Sequence, residues 1–516
     1  MSVKIVITNI YSKIVGFIPE EAHKALDEIL SYKVANSRFM KVVRDGRWDG
    51  VIHLYKTSGQ TFYTGLMSLV RETLKKHNVE YEVVDRRERP PQNLSDLNFI
   101  KPSDYEARQY QDFTVERSLK FTRGILSVGT GGGKTLIATR IISEIKTYPV
   151  VFYVLTKDLM EQAHGVFSAC LNEPIGKIGD GEVDIKKITV CTIQSAVQAL
   201  NYGKKKFKID NYRFDDEDTW DEKTIDSQEK AEKIKEMVRS AAVVMLDEAH
   251  HTASQTAMEV LGASVNAYWR YGLSATPYRE DNASLAIQAQ FGVKIVDISP
   301  SFLIKQKDLV KPYIFLEPID SKVNFHTYAK IYEHCVVKND KFNNHVAETV
   351  NHIVKRGLSV LVLVKQIKHG ETLKKIIPNS EFIKGDLSSE KRLQFINDLR
   401  AGKITLIATS LADEGLDVRA LDCVVMAGGG KSSTRIQQRV GRALRRDKKS
   451  TKQKDKAIII IYEHNARFLD RHAKRIRTIL KRESEFEIIE SNGPDSILRE
   501  IDSVLGIENK HGGLFA

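Results

Sequence analysis

The chain is 516 residues long and 42% hydrophobic, enough for two to four packed domains and inconsistent with a disordered scaffold. Its 79 Lys plus Arg against 67 Asp plus Glu leave a formal charge of +12, which favours a polyanionic partner without requiring one. Cys170, Cys191, Cys335 and Cys423 are too scattered for metal or redox pairs and read as small buried hydrophobes. Neither a signal-peptide core nor an apolar run near the roughly 18 residues of a membrane helix is present, so a soluble, cytoplasmic, non-membrane protein is expected.

Up to about Arg89, alternating segments (Lys4 to Thr8, Gly50 to Tyr55) mix with a helical pattern at Glu20 to Leu30, the pattern of a small α+β domain. The charged stretch Arg86 to Leu97, carrying Pro90-Pro91, continues neither kind of element and marks a boundary. Beyond it apolar strands alternate with amphipathic helices, the mark of a parallel sheet covered on both faces. The first series of strands is Ile125 to Val128, Val150 to Leu155, Ile188 to Ile193, Ala242 to Leu246 and Tyr271 to Ser274. A second runs through Ser359 to Val364, Glu381 to Ile383, Ile404 to Ala408, Asp422 to Met426 and Ala457 to Tyr462. The expected fold class is therefore α/β, two tandem parallel-sheet lobes behind a small α+β domain, with domains at 1–95, 96–300 and 301–516. The charged insertion at 201–240, KKKFK then FDDEDTWDEK then a helix through Met237, interrupts the first lobe between two strands and is expected to be a solvated surface excursion.

The segment ILSVGTGGGKTLIATRII passes from a strand through a glycine-rich turn into a helix, the context of a phosphate loop. Backbone N–H groups of Gly131, Gly132 and Gly133 can converge on phosphate oxygens at a helix N-terminus. Lys134 would reach the β- and γ-phosphates of ATP and Thr135 would hold Mg²⁺. The strict pattern wants glycine where Val128 stands; a chance Gly-Lys-Thr is the competing reading, and the flanking strand and helix argue against it. In AAVVMLDEAHH a buried strand ends in two carboxylates, so that Asp247 can hold Mg²⁺ and Glu248 can deprotonate the attacking water.

Taken in order, GTGGGKT, DEAH, SATP (Ser274 to Pro277), IATSLADEGLDV (Ile407 to Val418) and QRVGRALRR (Gln438 to Arg446) resemble the superfamily-two helicases, whose lobes are RecA-like. The resemblance implies that Ser274 and Thr276 couple hydrolysis to lobe movement, that Gln111 reads adenine, and that Gly415 and Asp417 bridge nucleotide and nucleic acid. It makes Arg442 and Arg445, three residues apart on one helix face beside Gln438 and Gly441, arginine fingers, which are typically worth about 10³ to 10⁵ in rate. A nucleic-acid track is implied at Thr156 to Gln162, Thr192 to Ser195 including Gln194, Val364 to Gln366, and Thr409, suited to phosphates rather than base edges. VMAGGGKS (Val425 to Ser432) repeats the register of the phosphate loop, but no strand ending in paired carboxylates follows it, so it is expected to be structural or to contact nucleic acid.

Near the front, RDGRWDGVIHLY and FYTGLMSLV resemble the small N-terminal domain of the UvsW-type bacteriophage recombination helicases. That narrower resemblance implies unwinding and branch migration on forks or four-way junctions, with phage recombination or replication proteins as partners and a host cytoplasm as location. Trp48 is expected to be a packing residue, and Lys41, Arg44 and Arg47 to face a duplex. A duplex translocase that does not separate strands and an RNA helicase share the same motor motifs. The basic helix after Tyr462 is read as a solvated face that in a translocase could line the DNA path.

Overall fold

A computed structural model describes residues 2–34, 37–103, 106, 108–203, 225–276, 284–384, 389–409, 421–428, 440–441, 443–444 and 454–507. The chain packs as two compact units, Met1–Val128 with Gly133–Ile298, and Ser299–Ala516 with Gly129–Gly132.

The N-terminal strands are β1 (Ser2–Ile7), β2 (Tyr11–Val15), β3 (Ser31–Lys33), β4 (Val51–His53), β5 (Tyr55–Lys56), β6 (Thr61–Tyr63) and β7 (Glu80–Asp85). Five form a sheet in the order β5-β6-β2-β1-β7, antiparallel except for the parallel pair β1 and β7, while β3 and β4 pair separately. Strict alternation in β1 and β2 buries Val3, Ile5 and Ile14 against the helices Glu20–Ile29 and Met67–Lys76, which supply Leu26, Val70 and Leu74. This core does not stop at the domain edge. Ala253, Ala286 and Ala289 of the following lobe belong to it, and a Cβ on Gly65 would lie 2.1 Å from the Gln288 carbonyl oxygen, so only glycine permits the contact.

The first lobe holds β8 (Arg123–Val128), β9 (Val150–Val154), β10 (Ile175–Gly179), β11 (Glu182–Asp184), β12 (Ile188–Thr192), β13 (Val243–Asp247), β14 (Trp269–Ser274) and β15 (Lys294–Ile298). Their order is β11-β10-β12-β9-β13-β14-β8-β15, and every pairing except that of β11 is parallel. Strands such as VVFYV are buried throughout, as a sheet covered on both faces demands. Arg270, the second residue of β14, is fully buried, and among the described residues it has no salt bridge to a carboxylate. Its guanidinium instead donates to carbonyls at the ends of two helices, Leu261 (2.8 Å), Ser264 (3.2 Å) and Gln290 (3.1 Å), and to the Gln290 side chain (2.8 Å). Those carbonyl ends carry the helices' negative poles, so a cation fits where a neutral group would leave acceptors unmet.

The second lobe is a seven-stranded, wholly parallel sheet. Its strands are β16 (Lys311–Ile319), β17 (Val360–Val364), β18 (Ser380–Ile383), β19 (Thr405–Thr409), β20 (Cys423–Met426), β21 (Lys456–His464) and β22 (Glu487–Glu490), ordered β18-β19-β17-β20-β21-β16-β22. The α/β class with two RecA-like lobes and an N-terminal α+β domain is thus the observed one. All four cysteines are free and buried, as their spacing predicted.

The charged insertion departs from expectation over its second half. The helix Gln228–Ser240 buries Ala231, Ile234, Met237 and Val238 in the first lobe's core, because its apolar residues recur at helical spacing beneath a charged face. Residues 204–224 of the insertion lie outside the described residues. The strands β10, β15, β16 and β22 were also not expected; glycines or charges interrupt their apolar runs, as in IGKIG and EIIE.

Candidate active site at the carboxyl edge of the first sheet

Register brings the chemistry together. Asp247 pairs with Leu273 and Ser274 with Ser127, so β13, β14 and β8 end at one edge of the sheet, the edge where parallel α/β sheets bind ligands. From β8 the chain turns through Gly131 and Gly133, both at positive φ (89° and 79°), conformations that a side chain resists. It then enters the helix Lys134–Ile145, whose first N–H groups have no partner within the helix. A Cβ on Gly133 would also meet the Gln111 amide nitrogen at 2.8 Å, so the buried Gln111 lies directly against the loop. An ion pair between Asp112 and Arg140 (2.6 Å) ties the helix Gln109–Phe121, which carries Gln111, to the helix that Lys134 opens.

Lys134 Nζ lies 3.1 Å from Glu248 Oε1, with both side chains largely buried. Glu248 stands at φ +50°, a left-handed conformation that turns the chain sharply out of β13, and its N–H donates to Asp247 Oδ1 at 2.9 Å. The two neighbouring carboxyls are driven apart in acidity. Burial pushes Asp247 up to about 6, against the pull of the Lys134 ammonium and with the Glu248 charge adding to the rise. Burial would raise Glu248 too, but the Lys134 ammonium and His250 outweigh it and hold that carboxyl well below the usual range. The pair therefore presents one firmly ionised carboxylate beside one whose charge burial disfavours.

His250 was not singled out from the sequence, although the DEAH string contains it. Its Nδ1 lies 3.4 Å from Glu248 Oε2 and 3.2 Å from Ser274 Oγ, and Ser274 Oγ accepts the Thr276 N–H at 3.1 Å. A continuous polar path thus runs Lys134, Glu248, His250, Ser274, Thr276, bringing the expected coupling residues within one side chain of the expected base.

The expected track residues divide by exposure. Gln162 is exposed and Gln194 and Gln366 are half-buried, whereas Thr156, Thr192 and Thr409 are buried. The hydroxyls of Thr156 and Thr192 cap helices by accepting from the Leu159 and Ser195 N–H groups, both at 3.2 Å. In VMAGGGKS, Gly428 donates its N–H to the Leu363 carbonyl (3.1 Å), a structural tie, while residues 429–432 lie outside the described residues. Gly415, Asp417, Gln438, Arg442 and Arg445 also lie outside them. Among the described residues no group of three or more His, Cys, Asp or Glu is placed to hold a metal, and no helix is long and apolar enough to cross a membrane.

A glycine-rich loop feeding a helix, with paired carboxylates two strands away in a parallel sheet and a second parallel-sheet lobe later in the chain, defines a RecA-like ATPase. Family models agree: residues 99–279 match "Type III restriction enzyme, res subunit" and residues 344–447 match "Helicase conserved C-terminal domain". The chain belongs to the superfamily-two helicases and is an ATP-dependent DNA helicase. It is 28% identical to helicase 22 of Sulfolobus islandicus filamentous virus over 74% of this chain and 68% of that one. To the ATP-dependent DNA helicase uvsW of Enterobacteria phage T4 it is 23% identical, over 83% of this chain and 84% of the relative. In fold it is similar to an HsdR subunit fragment of a type I restriction enzyme from Vibrio vulnificus, with a TM-score of 0.54 at 17% identity over 77% of this chain and 70% of that one.

Proposed function

We propose that this helicase acts on branched DNA, unwinding forks or four-way junctions and driving branch migration in phage recombination, repair or replication. The observation that carries the reading is the shared core of the N-terminal domain and the ATP-binding lobe. Gly65 against Gln288, Arg123 donating to the Asn9 carbonyl (2.6 Å) and Asn9 donating to the Val265 carbonyl (3.2 Å) make the small domain a fixed part of the motor lobe. Its exposed Lys41, Arg44 and Arg47 are carried with that lobe, so a duplex arm held there moves when the lobe moves. Trp48, half-buried and donating its indole N–H to the Val51 carbonyl (2.9 Å), supports the turn that presents them.

For the chemistry, the donor set fits a magnesium-bound triphosphate. Thr135 and Asp247 offer the hard oxygens that Mg²⁺ takes, and the bound ion would screen the charge of the leaving phosphates. Lys134 binds the β- and γ-phosphates, Gly131 to Gly133 supply N–H groups, and Gln111 orients adenine. Glu248 takes the proton of the attacking water, and His250 with Ser274 and Thr276 relays the change in its charge. Gln438, Arg442 and Arg445 stabilise the transition state, Gly415 and Asp417 link nucleotide to nucleic acid, and Thr156, Gln162, Thr192, Gln194, Gln366 and Thr409 mark the track.

A duplex translocase is the second reading, favoured by the match to a restriction-enzyme subunit model. Both are tested by measuring ATP hydrolysis and strand separation on single strand, duplex, fork, four-way junction and RNA. Branched DNA is expected to stimulate most and to be unwound. Displacement of a triplex strand with forks left paired would establish the translocase, and stimulation by RNA alone would refute both.

A further inference from the structure

In the second lobe the helix Arg467–Leu480 turns Leu469, Ile476, Ile479 and Leu480 into the core. Arg477 anchors it by donating to Glu463 and to Glu490 (2.6 Å). The opposite face is exposed and cationic, with Arg467, Arg471, Lys474, Arg475, Lys481 and Arg482. One of the six is offset within the stretch, since Asp470 is paired with Lys474 (2.8 Å), and Glu483 is engaged by the Ser301 hydroxyl at 2.6 Å. From Arg467 to Leu480 the helix is about 20 Å long, and Lys481 and Arg482 continue the run just past its end.

The stripe begins beside the expected nucleic-acid track. The His472 ring lies 5.6 Å from that of Tyr328, and Lys365, one residue before Gln366 at the end of β17, holds its ammonium 4.7 Å over the same Tyr328 ring. Phe468, the aromatic residue nearest the stripe, is half-buried and flanked by the Arg467 and Arg471 guanidiniums at 5.6 and 5.7 Å. Its ring is thus engaged by cations, unlike the open aromatic faces that single-strand platforms present.

We propose that this face carries the phosphate backbone of duplex DNA, extending the track from Gln366 past Tyr328 along the helix. The inference rests on the DNA-motor reading and adds to it a second surface of contact. A rigid cationic rod matches a rigid polyanion: duplex DNA carries about one charge per 1.7 Å of its axis, so cations strung along the helix meet phosphates where either strand crosses it.

The test measures affinity of the full chain for a linear duplex against salt concentration, without nucleotide. Replacing Arg467, Arg471, Lys481 and Arg482 by Gln is expected to reduce the slope of log K against log salt by about 3 to 4, since each duplex phosphate contact contributes about 0.9. The conservative pair Arg467→Lys and Arg471→Lys should keep the slope, separating charge from packing, and Arg471→Gln alone should lower it by about one. A slope unchanged in the four-residue variant, with its melting temperature also unchanged, overturns the proposal and leaves the DNA-motor reading intact. So does an equal fall when the exposed Lys75 and Lys76 are neutralised instead, or a fall confined to single-stranded DNA. Wild-type protein that binds no duplex at any salt overturns both.

Discussion

Glu248→Gln separates the two roles assigned to that carboxylate. Glu248 neutralises Lys134 at 3.1 Å in a site where both side chains are largely buried, so phosphate must compete with a charge-assisted bond for the lysine. Such a bond is worth about 1.5 to 3 kcal/mol, and Gln retains only part of it, so freeing Lys134 should tighten ATP binding by up to about 10- to 100-fold. Loss of the general base should at the same time slow turnover by about 10² to 10⁴. Titration of a fluorescent ATP analogue, paired with steady-state hydrolysis under DNA stimulation, reads both numbers. Lys134→Ala should instead weaken nucleotide binding and abolish hydrolysis while sparing DNA binding. If Glu248→Gln turns over at the wild-type rate, or binds nucleotide more weakly than wild type, the assigned geometry is wrong.

Gly65→Ala forces a Cβ into the Gln288 carbonyl and should cost about 1 to 3 kcal/mol, with Arg123 and Asn9 losing protection in hydrogen exchange; unchanged protection would show that the N-terminal contact yields freely. Arg270→Met should cost at least about 3 kcal/mol in urea unfolding, because helix-end carbonyls are left unmet, and a loss below about 0.5 would count against their dependence on that cation. Asp502 accepts from Arg356 (2.6 Å) and His352 (2.9 Å), and although burial raises its carboxyl, these two partners bring it below the ordinary value. Its folded pKa therefore lies below the unfolded one of 3.8, so its contribution is present above that pH and disappears as pH falls through the folded value. Asp502→Asn should destabilise at neutral pH, with the difference from wild type closing below about pH 4 in thermal melts; a constant difference would contradict the assignment.

Much of this molecule was legible because its strands are buried on both faces. Runs such as VVFYV and VLVLV cannot be read as amphipathic helices, and the strand-loop-helix setting of Lys134 follows from glycines, which adopt positive φ most readily. The string DEAH was legible as residue types, but not the acidity of its members, which depends on burial and on a lysine far along the chain. The helix Gln228–Ser240 was misplaced because a charged face dominates its composition, while burial is set by the few apolar residues at helical spacing.

What sequence determined by itself was everything governed by local periodicity, namely two α/β lobes, a phosphate loop and a strand ending in carboxylates. Tertiary structure alone decided which groups meet: Lys134 with Glu248, His250 with Ser274, Arg270 with two helix ends, and Gly65 with Gln288. Periodicity is a property of neighbours a few residues apart, whereas these pairings join residues brought together by strand order and register, which no single segment encodes.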